Sequence, residues 1–220
     1  MKEIKIKTIK KINDFQSKRY DLTVAGNHNY FANNILIHNC NAFYRHDGEQ
    51  LWCKSHNFFR KRPENGADCS WWDIAFRYNF EEKLAKVPQF GIYGENYGNV
   101  NPFMYDCQLV DGKIQTKFRM FDIFDFSASK FLDYDDMVKV SKELEIDMVP
   151  EIYRGPWKSD KSLYALAEQN SFLKSNIPGA TDICEGFVIR PIKERIDPRS
   201  GNRIILKLKS ERYNLAKGKK

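Results

Sequence analysis

An aliphatic strand that runs directly into His38-Asn39-Cys40 sets the plan of this chain, because the segment before it is too short to fold alone. Ile4, Ile6 and Thr8 alternate with other residues, and Lys18-Arg19-Tyr20-Asp21-Leu22-Thr23-Val24 reads as a second strand. Asn27-His28-Asn29 is a turn signal, while Tyr30-Phe31 and Ile35-Leu36-Ile37 flank Asn33-Asn34 as hairpin strands would. An all-β unit of about 39 residues cannot bury a core of its own, so residues 1–39 require a partner. The triplet that ends the unit is also reactive. An asparagine amide can attack its own carbonyl, a histidine can protonate the departing amine, and a cysteine thiolate can carry an acyl group. The bond between Asn39 and Cys40 is therefore a candidate for programmed cleavage.

After Cys40 the texture changes. Asn41-Ala42-Phe43-Tyr44 and Gln50-Leu51-Trp52-Cys53-Lys54 read as strands joined at Asp47-Gly48. Further strands are expected over 90–93, 108–110, 118–124, 186–189 and 204–208, with a long turn over 193–202. Helical spacing covers 70–85, 134–144 and 162–173. Strands outnumber helices and do not alternate strictly with them, so the body is α+β with a mostly antiparallel sheet. Hydrophobic residues make up 42% and aromatic residues 14%, enough for a real core.

Charge is unevenly placed. Residues 1–39 hold 7 basic and 3 acidic side chains, residues 190–220 hold 11 and 3, and the stretch between holds 18 and 23. A basic C-terminal segment on a mildly acidic body points to a local polyanion such as phosphate or nucleic acid. The five cysteines and four histidines show no metal-ligand spacing, and the scattered, odd number of cysteines suits a reducing compartment. No apolar run reaches the roughly 18 residues of a membrane span, and the N-terminus has no signal-peptide pattern. A cytoplasmic protein of a bacterial or phage-infected cell, with no membrane partner, is the expectation.

Tyr20-Asp21-Leu22-Thr23-Val24, Asn27-His28-Asn29, Tyr30-Phe31, Asn33-Asn34, Ile35 to Ile37 and His38-Asn39-Cys40 occur in an order that resembles the C-terminal fragment of a split intein, of the Hint type. The resemblance implies that Cys40 accepts the upstream acyl group, that Asn39 cyclises, and that His28 and His38 position protons for that step. Upstream intein motifs are absent from residues 1–39, and Met1 stands where split C-terminal halves begin. Splicing in trans with an upstream partner chain is thus implied, with domains at 1–39 and 40–220.

Residues 41–220 resemble the RNA ligases, a family of covalent nucleotidyltransferases. Their opening motif is Lys-x-x-Gly-x-Asn, and here Cys40 and Asn41 fit only its end. The nucleophile lysine and the glycine would come from the upstream half, so that splicing restores the motif. Ser55-His56 aligns with a family Ser-Arg pair, with Lys54 and Arg60 as the cations placed to replace that arginine. Tyr93-Gly94-Glu95 matches the motif whose glutamate holds ribose hydroxyls. Phe121-Asp122 matches an aromatic-Asp strand in which the ring lies under adenine. Glu185-Gly186-Phe187-Val188 matches the motif whose glutamate binds the divalent metal, and Lys207 and Lys209 match the lysines that meet the phosphates. Period two puts both lysines on one strand face.

The resemblance implies an enzyme that uses ATP and Mg²⁺ or Mn²⁺. A lysine attacks ATP, AMP passes to an RNA 5′-phosphate, and a 3′-hydroxyl displaces AMP. It also implies a nucleotidyltransferase (ligase adenylation) fold lacking its N-terminal strands, with Asn41, Ser55, Glu95, Phe121, Glu185, Lys207 and Lys209 around the nucleotide and Glu185 at the metal. DNA ligases and capping enzymes share these motifs. The asparagine of the opening motif and the short stretch after Lys209 favour RNA ligases. An inactive nucleotide-binding module is the rival of another class, and the joint presence of Glu95, Glu185, Lys207 and Lys209 argues against it.

Overall fold

The computed structural model describes residues 40–55, 58–64, 70–98, 105–106, 109–157, 160–174, 177 and 180–217. The chain divides into two compact units, Met1–Ile35 and Leu36–Lys220, and all the described residues belong to the second. The intein-like segment, with His28, His38 and Asn39, lies outside the described residues, as does His56.

In chain order the elements are β1 (Cys40–His46), β2 (Leu51–Ser55), α1 (Ser70–Arg77), α2 (Phe80–Ala85), β3 (Phe90–Tyr97), β4 (Leu109–Val110), β5 (Lys113–Ile114) and β6 (Lys117–Asp125). There follow β7 (Lys130–Phe131), α3 (Tyr134–Glu143), α4 (Asp160–Ala167), β8 (Gly186–Ile189), β9 (Leu206–Lys209) and α5 (Glu211–Lys217). Strands β2-β1-β3-β6-β7 form an antiparallel sheet, and β4-β5 and β8-β9 form two small ones. No helix among the described residues is long and apolar enough to cross a membrane.

Period-two alternation builds the main sheet. Ala42 and Tyr44 of β1, Leu51 and Cys53 of β2, Ile92 of β3, and Phe118, Met120 and Ile123 of β6 are buried on one face. The apolar sides of α1, α2 and α3 cover that face through Trp72, Ile74, Phe80, Leu84, Met137, Val140 and Leu144. Tyr44, Phe80 and Phe118 meet at ring-centroid distances of 4.7 to 5.4 Å, a geometry in which aromatic pairs add to the gain from burial.

The β1–β2 turn follows from Asp47-Gly48. The Asp47 carboxylate accepts the backbone N–H groups of Glu49 and Gln50 at 3.0 and 2.9 Å, and Gly48 takes φ +106°. These bonds and the indole N–H of Trp52 lower the Asp47 pKa to about 2.

Two helices differ from the sequence-based expectation. The helical stretch over 70–85 is broken, because Asn79 adopts the left-handed conformation (φ 53°, ψ 44°) that asparagine tolerates. The helix expected over 162–173 ends at Ala167. The carboxylate of Glu168 instead accepts the backbone N–H groups of Glu211 and Arg212 at the start of α5, and Asn170 bridges to Ile183.

Candidate active site

The face of the main sheet opposite the helices carries the polar alternates. Asn41 of β1 is directly opposite Glu95 of β3, and Glu95 is opposite Arg119 of β6. Two residues along, Phe43 is opposite Tyr93, and Tyr93 is opposite Asp122. Between these two rows the register of β3 and β6 shifts: Tyr93 pairs with Asp122 but Gly94 pairs with Met120, so Phe121 is the unpaired residue of a β-bulge. A bulge re-aims the side chain it inserts, and Phe121 is only half-buried, unlike the core residues Met120 and Ile123 on either side of the bulge. Gly94 is required beside it. A Cβ there would overlap the Phe118 ring and lie 2.5 Å from the Arg119 carbonyl oxygen.

The β8–β9 hairpin supplies the other half of the site. Gly186 is opposite Lys209 and Val188 is opposite Lys207. Lys207 and Lys209 are exposed while Leu206 and Leu208 are half-buried, as period two requires. Gly186 takes φ +138°, and a Cβ there would run into the carbonyl oxygen of Leu208 and lie 2.8 Å from Lys209 Cα. Glycine is thus what lets β9 approach closely behind Glu185. The Ser210 N–H donates to the Glu185 carbonyl at 2.9 Å, which ties the end of β9 to the residue before β8.

Electrostatics record how these groups converge. Crowding by surrounding protein lowers the pKa of Lys207, the carboxylates of Glu185 and Glu95 act in the opposite direction, and Lys209 adds to the lowering. Lys207 nevertheless remains exposed to solvent. Tyr105 and Tyr213 border the same carboxylates. Burial raises both phenols, and Glu185 and Glu95 raise them further. The Tyr105 hydroxyl donates to the Ile183 carbonyl at 2.5 Å, and Tyr97, Tyr105 and Tyr213 form a second buried cluster. Glu95 of β3, Glu185 just before β8 and the lysines of β9 therefore lie within electrostatic reach of one another.

The hairpin is fastened to the sheet by a buried ion-pair network. The Arg190 guanidinium donates to Asp122 at 3.0 Å, to the Phe121 carbonyl at 3.2 Å and to Glu194 at 3.0 Å. Arg203 donates to Asp122 at 2.5 and 3.1 Å and to Glu194 at 2.6 and 2.8 Å. Its guanidinium also stacks 3.6 Å from the Phe131 centroid. Sequence reasoning assigned nothing to Asp122, Arg190, Glu194 or Arg203 beyond their motifs, and no local spacing links residues about 70 positions apart.

Of the residues expected at the site, Glu95, Glu185, Lys207 and Lys209 come together, Asn41 is opposite Glu95, and Phe121 is the bulge residue near Asp122. Ser55 does not join them. It is buried in register with the core residue Ala42, on the helix-covered side, and its hydroxyl donates to the Phe58 carbonyl at 3.1 Å. The alternation Leu51, Cys53, Ser55 could have placed it there. Lys54 is on the opposite, open side, whereas Arg60 stacks its guanidinium 4.5 Å from the Trp71 ring. Cys40 is the first residue of β1, opposite Asn96.

The family model for RNA ligase matches residues 34–209. The chain belongs to the RNA ligase family. No curated protein matches it. Among solved structures, a variant of Naegleria gruberi RNA ligase with ATP and Mn is similar at 16% identity and a TM-score of 0.63, over 83% of this chain and 50% of that one. The same ligase with pyrophosphate shares 18% identity, with a TM-score of 0.63 over 84% of this chain and 50% of that one. A variant with AMP and Mn shares 15%, with a TM-score of 0.63 over 81% and 49%. The chain thus shares their fold and spans about half their length.

Proposed function

We propose that residues 40–220 are the greater part of the nucleotidyltransferase domain of an ATP-dependent RNA ligase, and that residues 1–39 are the C-terminal fragment of a split intein. The observation that carries the ligase reading is that Glu95 of β3, Glu185 just before β8, and Lys207 and Lys209 of β9 lie within electrostatic reach of one another, in a chain of the RNA ligase family. In this reading Glu95, an acceptor-only carboxylate, receives the ribose hydroxyls. Phe121 supplies a ring for the adenine, Asn41 borders Glu95, and Lys207 and Lys209 neutralise the phosphates undergoing transfer. The Asp122 network holds the lysine-bearing hairpin against the sheet, so the charges are in place before substrate arrives.

The donor set suits a hard divalent cation. No group of three or more His, Cys, Asp or Glu side chains is arranged for a metal among the described residues. Glu185 would hold Mg²⁺ or Mn²⁺ in company with water and phosphate oxygens, as such ions prefer. A cation there compensates charge on the phosphoryl group.

The position corresponding to the family's nucleophile lysine is Leu36, and that of its glycine is Asn39. An upstream half ending in Lys-x-x-Gly, joined at Cys40, completes the motif. The substrates are then RNA ends, a 5′-phosphate and a 3′-hydroxyl. Two measurements test the reading. Titration of the full chain with ATP and Mg²⁺ gives saturable binding, and Lys207→Ala raises the Kd about ten-fold, the scale of one charge-assisted hydrogen bond. Binding that is absent, or indifferent to Lys207→Ala, overturns the ligase assignment. Mass spectrometry after mixing with the upstream half shows residues 1–39 released, and an intact chain overturns the intein assignment.

A further inference from the structure

One transverse row of the main sheet leads from the nucleotide site to the sheet edge. Asp122 is opposite Tyr93, Tyr93 opposite Phe43, and Phe43 opposite Lys54. The chain then turns back, and Phe59 forms an antiparallel bridge with Lys54. That return is fixed by backbone hydrogen bonds from Ser55 N–H to Phe58 and from Arg60 N–H to Cys53, at 2.9 and 2.8 Å. Directly opposed residues share a face, so the row is Asp122, Tyr93, Phe43, Lys54, Phe59. At about 4.8 Å per strand it spans roughly 19 Å.

The outer end of this row is aromatic, ordered and open. Phe59 is 61% exposed and Trp52 39% exposed, and their rings meet edge to face at 5.5 Å. The Trp52 indole donates to the Asp47 carboxylate at 2.5 Å, which fixes the orientation of its ring. The Lys54 ammonium is 5.6 Å from the Phe59 centroid. The stretch from Trp52 to Arg62 holds Lys54, Arg60, Lys61 and Arg62 and no acidic residue. Arg60 stacks on Trp71, Lys61 pairs with Glu64 and Arg62 with Glu81, so Lys54 is the cation facing the row.

Oriented rings beside a cation fit a partner that offers flat π faces together with negative charge. An apolar protein segment matches the rings but not the ammonium. Unpaired nucleotides match both. We propose that Trp52 and Phe59, with Lys54, form a stacking platform for unpaired bases of an RNA strand whose end reaches the nucleotide site. This deepens the ligase reading and rests on it for the direction of the strand.

The test uses the full chain and a fluorescein-labelled single-stranded oligoadenylate, followed by anisotropy and by quenching of tryptophan emission. The combined Trp52→Ala and Phe59→Ala variant raises the Kd by about ten-fold or more, the scale of one or two lost stacking contacts. Trp52→Phe with Phe59→Tyr restores most of the affinity, and Trp157→Ala, an exposed ring outside the row, changes nothing. Lys54→Gln lowers the slope of log K against log salt by about 0.7, one phosphate contact on a single strand. Circular dichroism verifies that each variant is folded. Equal RNA affinity in the wild type and the alanine pair overturns the platform, as does the absence of RNA binding by the wild type, the outcome if the patch serves a protein partner. Titration with ATP separates the two readings. RNA binding that depends on Trp52 without any ATP binding leaves the platform and removes the ligase assignment. ATP binding with an indifferent alanine pair does the reverse.

Discussion

Replacing Asp122 with alanine tests what holds the β8–β9 hairpin to the sheet. The Asp122 carboxylate accepts hydrogen bonds from Arg190 at 3.0 Å and from Arg203 at 2.5 and 3.1 Å, and the side chains are 7%, 12% and 18% exposed. Removing one partner of a buried ion pair costs about 3–5 kcal/mol, because the remaining charge stays buried. Here Glu194 remains as counter-ion to both arginines, at 3.0 Å from Arg190 and 2.6 Å from Arg203. One positive charge rather than two is then left over, and partial water access screens it. The expected loss is therefore about 2–3 kcal/mol, just below that range. Urea unfolding measures it as a lower midpoint at unchanged slope, and a thermal scan as a drop of roughly 4–12 °C for a domain of this size. A double-mutant cycle with Arg203→Ala gives a coupling above about 1 kcal/mol, since the two groups share one network. A loss below about 0.5 kcal/mol with zero coupling, the behaviour of an exposed pair, refutes this account of the hairpin.

Three further outcomes follow, two from the geometry and one from the proposed intein fragment. Gly186→Ala strains a residue at φ +138° and presses its Cβ against the backbone of Leu208 and Lys209. It costs about 2 kcal/mol or more and weakens ATP binding by displacing the lysines, measured by urea unfolding and calorimetry. If residues 1–39 act as the proposed intein fragment, Asn39→Ala leaves the branched intermediate at Cys40 but blocks their release, and mass spectrometry of the mixed halves distinguishes the two species. Glu194 titrates below its ordinary value: burial opposes its charge, and the hydrogen bond and charge of Arg203, then those of Arg190, outweigh burial. A depressed folded pKa stabilises fully above the unfolded value, so this contribution is lost as pH falls through the folded pKa. The urea midpoint therefore declines more steeply with acid in the wild type than in Glu194→Gln, and parallel declines contradict the assignment.

The strands were legible because a sheet covered on one face writes its period into the sequence. Tyr44, Ile92, Phe118 and Met120 lie in strands that the sequence signals, and β8 spans the residues expected. The long turn between β8 and β9 was legible from its Asp-Pro and Ser-Gly pairs. Where local signals mislead, a distant partner or a single backbone choice is the cause. Asn79 breaks the helix over 70–85 by a left-handed turn that hydrophobic spacing does not record, and Glu168 leaves helical geometry to cap α5. Within the site, motifs named Glu95, Glu185 and the two lysines, but the network around Asp122 joins residues 68 to 81 positions apart in sequence and has no periodic trace. Motif alignment puts Ser55 at the nucleotide, but the alternation Leu51, Cys53, Ser55 governs where it lies, on the buried face.

The central claim is that Glu95, Glu185, Lys207 and Lys209 form a nucleotidyl-transfer site completed by an upstream lysine. Incubating the product joined at Cys40 with α-labelled ATP and Mg²⁺ measures it directly. A covalent protein–AMP adduct that is acid-labile and lost in Glu95→Ala and Lys207→Ala supports the account. A joined, folded product that acquires no label contradicts it.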